Sequence, residues 1–141
     1  MEWAALIAWV VTALFGFAML AIWLQRGGMQ QSGAGRITPP LIVTHFLLAA
    51  GGLVLWIVYL IVDKDALTWI AFAALVVVAL IGWAMFFRWL GQRRGAAAGS
   101  AVAPVAGGAE QGFPVPVVAL HGVFAVATVV LVFLTAIGVG S

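Results

Sequence analysis

Two histidines are the residues in this chain best suited to chemistry. His45 and His121 are its only histidines, and each lies five residues past a proline that opens a long apolar run, Pro40 and Pro116 respectively. On a helix rising 1.5 Å per residue, five residues carry both imidazoles about 7–8 Å into the apolar segment, at the same depth. Ionisable side chains are costly at that depth and tend to be kept there for function, although histidine has the option of staying neutral. A single buried histidine can be explained as glue, hydrogen-bonding one helix to the next. Two equivalent ones with no intramembrane acid to pair with favour a ligand shared between them.

The equivalence comes from an internal repeat. The segment LFGFAMLAIWL (Leu14–Leu24) aligns without gaps to LIGWAMFFRWL (Leu80–Leu90), with six of eleven positions identical. Matches of Leu, Val and Ala say little in apolar helices, but Gly16/Gly82, Met19/Met85 and Trp23/Trp89 are less common and keep their order. PLIVTHFLLAAGGLVL (Pro40–Leu55) matches PVVALHGVFAVATVVL (Pro116–Leu131) through P-x4-H-x3-A-x4-V-L. The chain therefore reads as two tandem helical hairpins, residues 1–65 and 66–141, in the same orientation. A pseudo-two-fold axis along the membrane normal should relate them, as in parallel transporter repeats.

Composition sets the class of protein. Of 141 residues, 66% are hydrophobic and 7% charged, and the mean hydropathy is +1.24. A soluble domain carries about 25% charged residues to face water. Four runs are long enough to cross a bilayer, which takes about 20 residues: Trp3–Leu24, Pro40–Val62, Ala66–Leu90 and Val115–Gly138. Each must be helical, because backbone groups in lipid are paired within their own segment. The expected fold is an all-α integral membrane four-helix bundle in the lipid bilayer. Trp3, Trp23, Trp69 and Trp89 fall near span ends, as headgroup-zone anchors do. The Gly91–Gly112 stretch reads as a flexible low-complexity linker, and Asp63-Lys64-Asp65 as a tight turn. Thr38 is placed to cap the second helix, and its early prolines suit a first turn.

Charge placement gives orientation. Arg26, Arg36, Arg88, Arg93 and Arg94 flank or occupy the first and third connections, whereas Glu2, Asp63, Lys64 and Asp65 lie on the other side. The positive-inside rule then puts the long connections in the cytoplasm and both termini outside a cell (inner) membrane. The first apolar run lacks a basic leader and reads as a retained helix. The basic residues are too few and too tied to helix ends for a nucleic-acid binder. Absence of cysteine excludes disulfides and thiolate metal sites.

Haem is a ligand that two such histidines can share. Neighbouring helices 8–10 Å apart put diagonal helices about 11–14 Å apart, and a bis-imidazole iron porphyrin needs about 12–14 Å. Helices two and four are expected on that diagonal. Room for the macrocycle is expected from Ala49 and Gly52, four and seven residues beyond His45, and from Ala125 and Thr128, equally spaced beyond His121. Gly16 and Gly82 open room on helices one and three. Close helix packing explains the same small residues equally well. Arg26, Arg36 or Arg93 could pair with haem propionates, though topology alone also accounts for them.

In its four helices and its histidine pair, this arrangement resembles the small membrane b-type cytochromes, which hold haem b between histidines on opposed helices. The resemblance is one of architecture and implies axial-ligand roles for His45 and His121. The corresponding function is single-electron transfer, with a quinone or a larger membrane complex as partner. Two alternatives stay open. Met19 and Met85 lie near the histidines in depth and could complete a copper site, since thioethers favour Cu(I), or they are adaptable core filler. The chain could also be a cofactor-free accessory subunit of a membrane complex. No Asp or Glu lies within a span to serve a proton-coupled transporter. No nucleophile–base pair or phosphate loop supports a hydrolase or transferase.

Overall fold

A computed structural model describes residues 1–32, 36–97 and 108–139. The described residues form four helices and no strands: α1 (Glu2–Gln25), α2 (Pro39–Val62), α3 (Asp65–Ala97) and α4 (Val115–Ala136). All four are long and apolar enough to span a bilayer, and at most 17% of the most apolar window of any of them is buried within the protein. The remaining apolar side chains point outward, among them Ile7, Leu14, Val54, Leu80 and Val123. Such a surface is tolerable only in lipid. The chain is a membrane protein.

The helices start and stop for local reasons. Pro39 and Pro40 occupy the first turn of α2, and Pro116 that of α4, where a missing N–H has no intrahelical partner. Thr38 is the N-cap residue of α2, but its side chain makes no capping hydrogen bond. Asp63 ends α2 in a left-handed conformation (φ 49°), and α3 begins two residues later. α3 runs seven residues past the expected end at Leu90. The Gly91–Ala97 stretch, expected as linker, extends the helix, because glutamine, arginine and alanine are good helix formers and its two glycines do not stop it. The later linker residues 98–107 lie outside the described residues.

α1 packs most closely on α4 and α2 on α3, with looser contacts between α3 and α4 and between α1 and α2. That leaves α2 and α4 on one diagonal and α1 and α3 on the other. The bundle is thus two tight helix pairs facing each other across a looser seam. The α2/α3 pair and the α1/α4 pair each combine helices from both hairpins.

The buried core falls into two clusters. Towards the end bearing the termini lie Ala5, Trp9, Trp56, Tyr59, Ala71, Leu75 and Val132. Towards the end bearing the long connections lie Trp23, Ile37, Trp89, Ala109 and Phe113, with Met19, Met85, Ile42 and Val118 against them. Several positions equivalent in the repeat are buried alike: Ala5 with Ala71, Trp9 with Leu75, Trp56 with Val132, Trp23 with Trp89. Trp3 and Trp69 are exposed near helix ends, as expected of interfacial anchors. Trp23 and Trp89 are not; they are 0% and 5% exposed and belong to the core. The connections fold back over them: a Cβ on Gly28 would overlap the Trp23 ring, and Trp89 shares a buried cluster with Ile37, Ala109 and Phe113.

Candidate functional site

His45 and His121 sit between the two apolar clusters, one on each helix of the α2/α4 diagonal. Their ring centroids are 6.4 Å apart, with ring planes inclined by 55°. Nδ1 of His121 lies 2.9 Å from the carbonyl oxygen of Thr12 on α1. Nδ1 of His45 lies 3.1 Å from the carbonyl oxygen of Val78 on α3. Thr12 and Val78 are equivalent positions of the repeat, so one contact is made twice.

These contacts assign the tautomer. A backbone carbonyl only accepts, so each Nδ1 carries a proton and donates it. Nε2 of each ring is left with a free lone pair, the arrangement in which a neutral imidazole binds a metal while its other nitrogen is held by a carbonyl.

Glycine makes the contacts possible. A Cβ on Gly16, four residues past Thr12, would lie 3.2 Å from Cε1 of His121 and 3.5 Å from Nδ1. A Cβ on Gly82, four residues past Val78, would lie 3.3 Å from Cε1 of His45. Without a side chain at these two positions, each imidazole lies flat enough on the neighbouring helix to reach a carbonyl one turn back.

The other residues anticipated around the histidines are distributed more widely. Ala49 and Ala125 are half-buried. Gly52 is buried against the Trp9 ring, to which a Cβ would come within 3.0 Å. Thr128 is buried, donates to the Phe124 carbonyl at 2.8 Å, and lies 3.4 Å from the Thr12 hydroxyl. The structure therefore puts Gly16 and Gly82 directly against the imidazoles, and Gly52 and Thr128 against Trp9 and Thr12. Met19 and Met85 are half-buried in the connection-end cluster, three residues past the two glycines.

The arginines lie at the connection end. Arg26 is exposed and packs against Gly112, while Arg93 lies over the Trp89 ring with its guanidinium carbon 5.2 Å from the centroid. Arg36 is half-buried, and its carbonyl accepts a hydrogen bond from Arg88 at 3.0 Å.

Two further features emerge only in the folded chain. The first is Glu110, fully buried in a 3-10 turn, Ala109–Gly112, just ahead of α4. Its carboxylate accepts from Gln31 Nε2 at 2.5 Å, Gln92 Nε2 at 2.5 Å and the Ile37 backbone N–H at 3.1 Å. Gln31 Oε1 in turn accepts from the Ala109 N–H at 2.7 Å. This network joins the two long connections to α3 and closes that end of the bundle. The second is the indole N–H of Trp23 and of Trp89. Among the described residues, these are the buried side-chain polar atoms without a hydrogen-bond partner. Their one sequence signal is a matched place in the repeat, which fits an interfacial anchor equally well.

At the opposite end, a cavity of about 470 Å³ is lined by Glu2, Tyr59, Asp63, Asp65, Trp69 and Thr135, among others, and Tyr59 donates to the Glu2 carboxylate at 2.7 Å.

Comparison with protein-family models, curated proteins and solved structures finds no match to this chain. The functional reading therefore rests on the chemistry of the histidine pair.

Proposed function

We propose that this chain is a membrane b-type cytochrome that holds one haem between His45 and His121 and passes single electrons. The observation that carries the reading is the 6.4 Å separation of two imidazoles whose Nδ1 atoms are both committed to backbone carbonyls. Two imidazoles that held one metal through Nε2, at about 2.0–2.1 Å per metal–nitrogen bond, would need ring centres roughly this close.

The donor set favours a macrocycle over a bare ion. No group of three or more His, Cys, Asp and Glu side chains capable of holding a metal occurs among the described residues. Two imidazoles alone leave most of a metal's coordination sphere open, whereas a porphyrin fills the equatorial positions and requires only two axial ligands.

Haem would supply a reversible one-electron couple. The protein's own part is to fix both imidazole rings through Thr12 and Val78, raising the basicity of each Nε2. The two apolar clusters above and below keep water away. The five arginines around the connection end support a cytoplasmic orientation of that end, with the pair nearer the cytoplasmic face. A quinone or a larger membrane complex is the corresponding electron partner.

The test is the absorption spectrum of the purified protein, oxidised and then reduced, for the parent and for His45→Ala and His121→Ala. Each helix keeps its internal hydrogen bonds, so both variants should stay folded. Each should lose the parent's six-coordinate spectrum or lose haem altogether. A parent with no Soret band, or variants that retain the parent spectrum, would sink the reading.

A further inference from the structure

Among the described residues, Trp23 and Trp89 are the two places where a strong side-chain donor is buried with nothing to accept from it. An orphaned N–H of this kind costs the fold free energy and is rare unless something outside the chain completes it. Both indoles are at least nine-tenths buried, and they are equivalent positions of the repeat. A defect that recurs with the pseudo-symmetry points to a ligand carrying two equivalent acceptors.

Their register relates them to the histidines. Trp23 is seven residues past Gly16, against which His121 rests, and Trp89 is seven past Gly82, against which His45 rests. Seven residues are two turns, so each tryptophan shares a helix face with its glycine, about 10 Å further towards the connection end. Helical side chains lean towards the N-terminus, which on α1 and α3 is back towards the histidines. Arg93 lies over the Trp89 ring and adds a positive charge there.

We propose that the indole N–H groups of Trp23 and Trp89 each donate to one of the two propionate carboxylates of the haem held by His45 and His121. This inference rests on the haem reading and extends it, because it fixes which edge of the macrocycle faces the connection end. A carboxylate converts each orphaned N–H into a charge-assisted hydrogen bond. The two propionates lie on one edge of the porphyrin, symmetrically about an axis through the metal. A two-fold axis running along the bundle between the histidines would bring one propionate to each tryptophan.

The experiment compares haem with haem dimethyl ester, whose carboxylates are capped and uncharged, on the full-length chain in detergent. Affinities are measured by absorbance titration for the parent, Trp23→Phe, Trp89→Phe and the double variant. Each tryptophan should contribute roughly tenfold or more to haem affinity, from the loss of one charge-assisted hydrogen bond. The ester should lose much less, because any void left by the smaller ring weakens both ligands alike. Equal losses for haem and ester, or no loss for either, overturn the tryptophan assignment while leaving the histidine ligation standing. A parent that binds neither porphyrin overturns both. Should a variant fail to fold, the ultraviolet resonance Raman marker of indole hydrogen bonding decides in the unaltered protein. It should report new indole hydrogen bonds on adding haem and weaker ones with the ester, and an unchanged marker rejects the proposal.

Discussion

Gly16 is the surface on which the His121 ring rests, and a Cβ there would stand 3.2 Å from Cε1. The same relation links Gly82 to His45 at 3.3 Å. Gly16→Ala and Gly82→Ala should each push one imidazole away from its carbonyl, at a cost of about 1–3 kcal/mol for overpacking. Helix propensity works the other way, favouring alanine by up to about 1 kcal/mol, so the net loss of stability should be small. The effect should instead appear as faster haem loss, measured by transfer to a haem-scavenging protein. Rates equal to the parent's would mean that glycine is not needed to hold the ring.

Exchanging the sulfur atoms separates haem from copper. Met19→Leu with Met85→Leu keeps most of the side-chain volume, and such swaps cost less than about 1.5 kcal/mol. Bound haem should survive the double change with its spectrum intact. Metal analysis of the parent provides the contrast: stoichiometric copper that vanishes in the double variant, without porphyrin absorption, would favour the thioether site.

Glu110 tests the closure of the connection end. Glu110→Ala leaves Gln31, Gln92 and the Ile37 N–H without their shared acceptor. Gln31 Nε2 keeps the Ile37 carbonyl, but the Ile37 N–H loses its acceptor, at a cost of about 1–3 kcal/mol where water cannot reach it. A thermal melt in detergent should show a clear loss, with faster proteolysis of the connections. A variant as stable as the parent would show that water replaces the carboxylate at no cost.

Orientation is open to reporter fusions. With five arginines around the long connections, a reporter after Ser141 should be external and one inserted near Gly99 cytoplasmic. The reverse pattern would move the histidines to the outer half of the bilayer.

The four spans and their all-helical class are legible in the sequence because long, uninterrupted apolar runs in a chain this poor in charge need lipid around them. The matched depth of His45 and His121 is legible for a related reason, since helix geometry converts spacing into height. Trp23 and Trp89 escape a sequence reading because position along a helix does not reveal what folds over its end. They sit where interfacial anchors sit, and only the returning connections bury them. Glu110 is hidden in another way. Its partners lie 79 and 18 residues away, among glycines and alanines that carry no periodic signal. The end of α3 falls later than hydropathy suggests because Gly91–Ala97 stops being apolar without ceasing to be helix-forming.

The Glu110 clasp also sets an order of events during biogenesis. Gln31 leaves the ribosome 79 residues before the carboxylate that will hold it. Until the second long connection has been made, the space beneath Trp23 and Trp89 has no cover, and α1, α2 and α3 can already be in the membrane. A flat, amphiphilic guest would then have an unobstructed way in from the side where its acidic groups are at home. Once α4 has docked and Glu110 has engaged Gln31 and Gln92, the same route is shut. If a haem is the guest, a mature chain with Glu110 engaged would take it up more slowly than a Glu110→Ala chain.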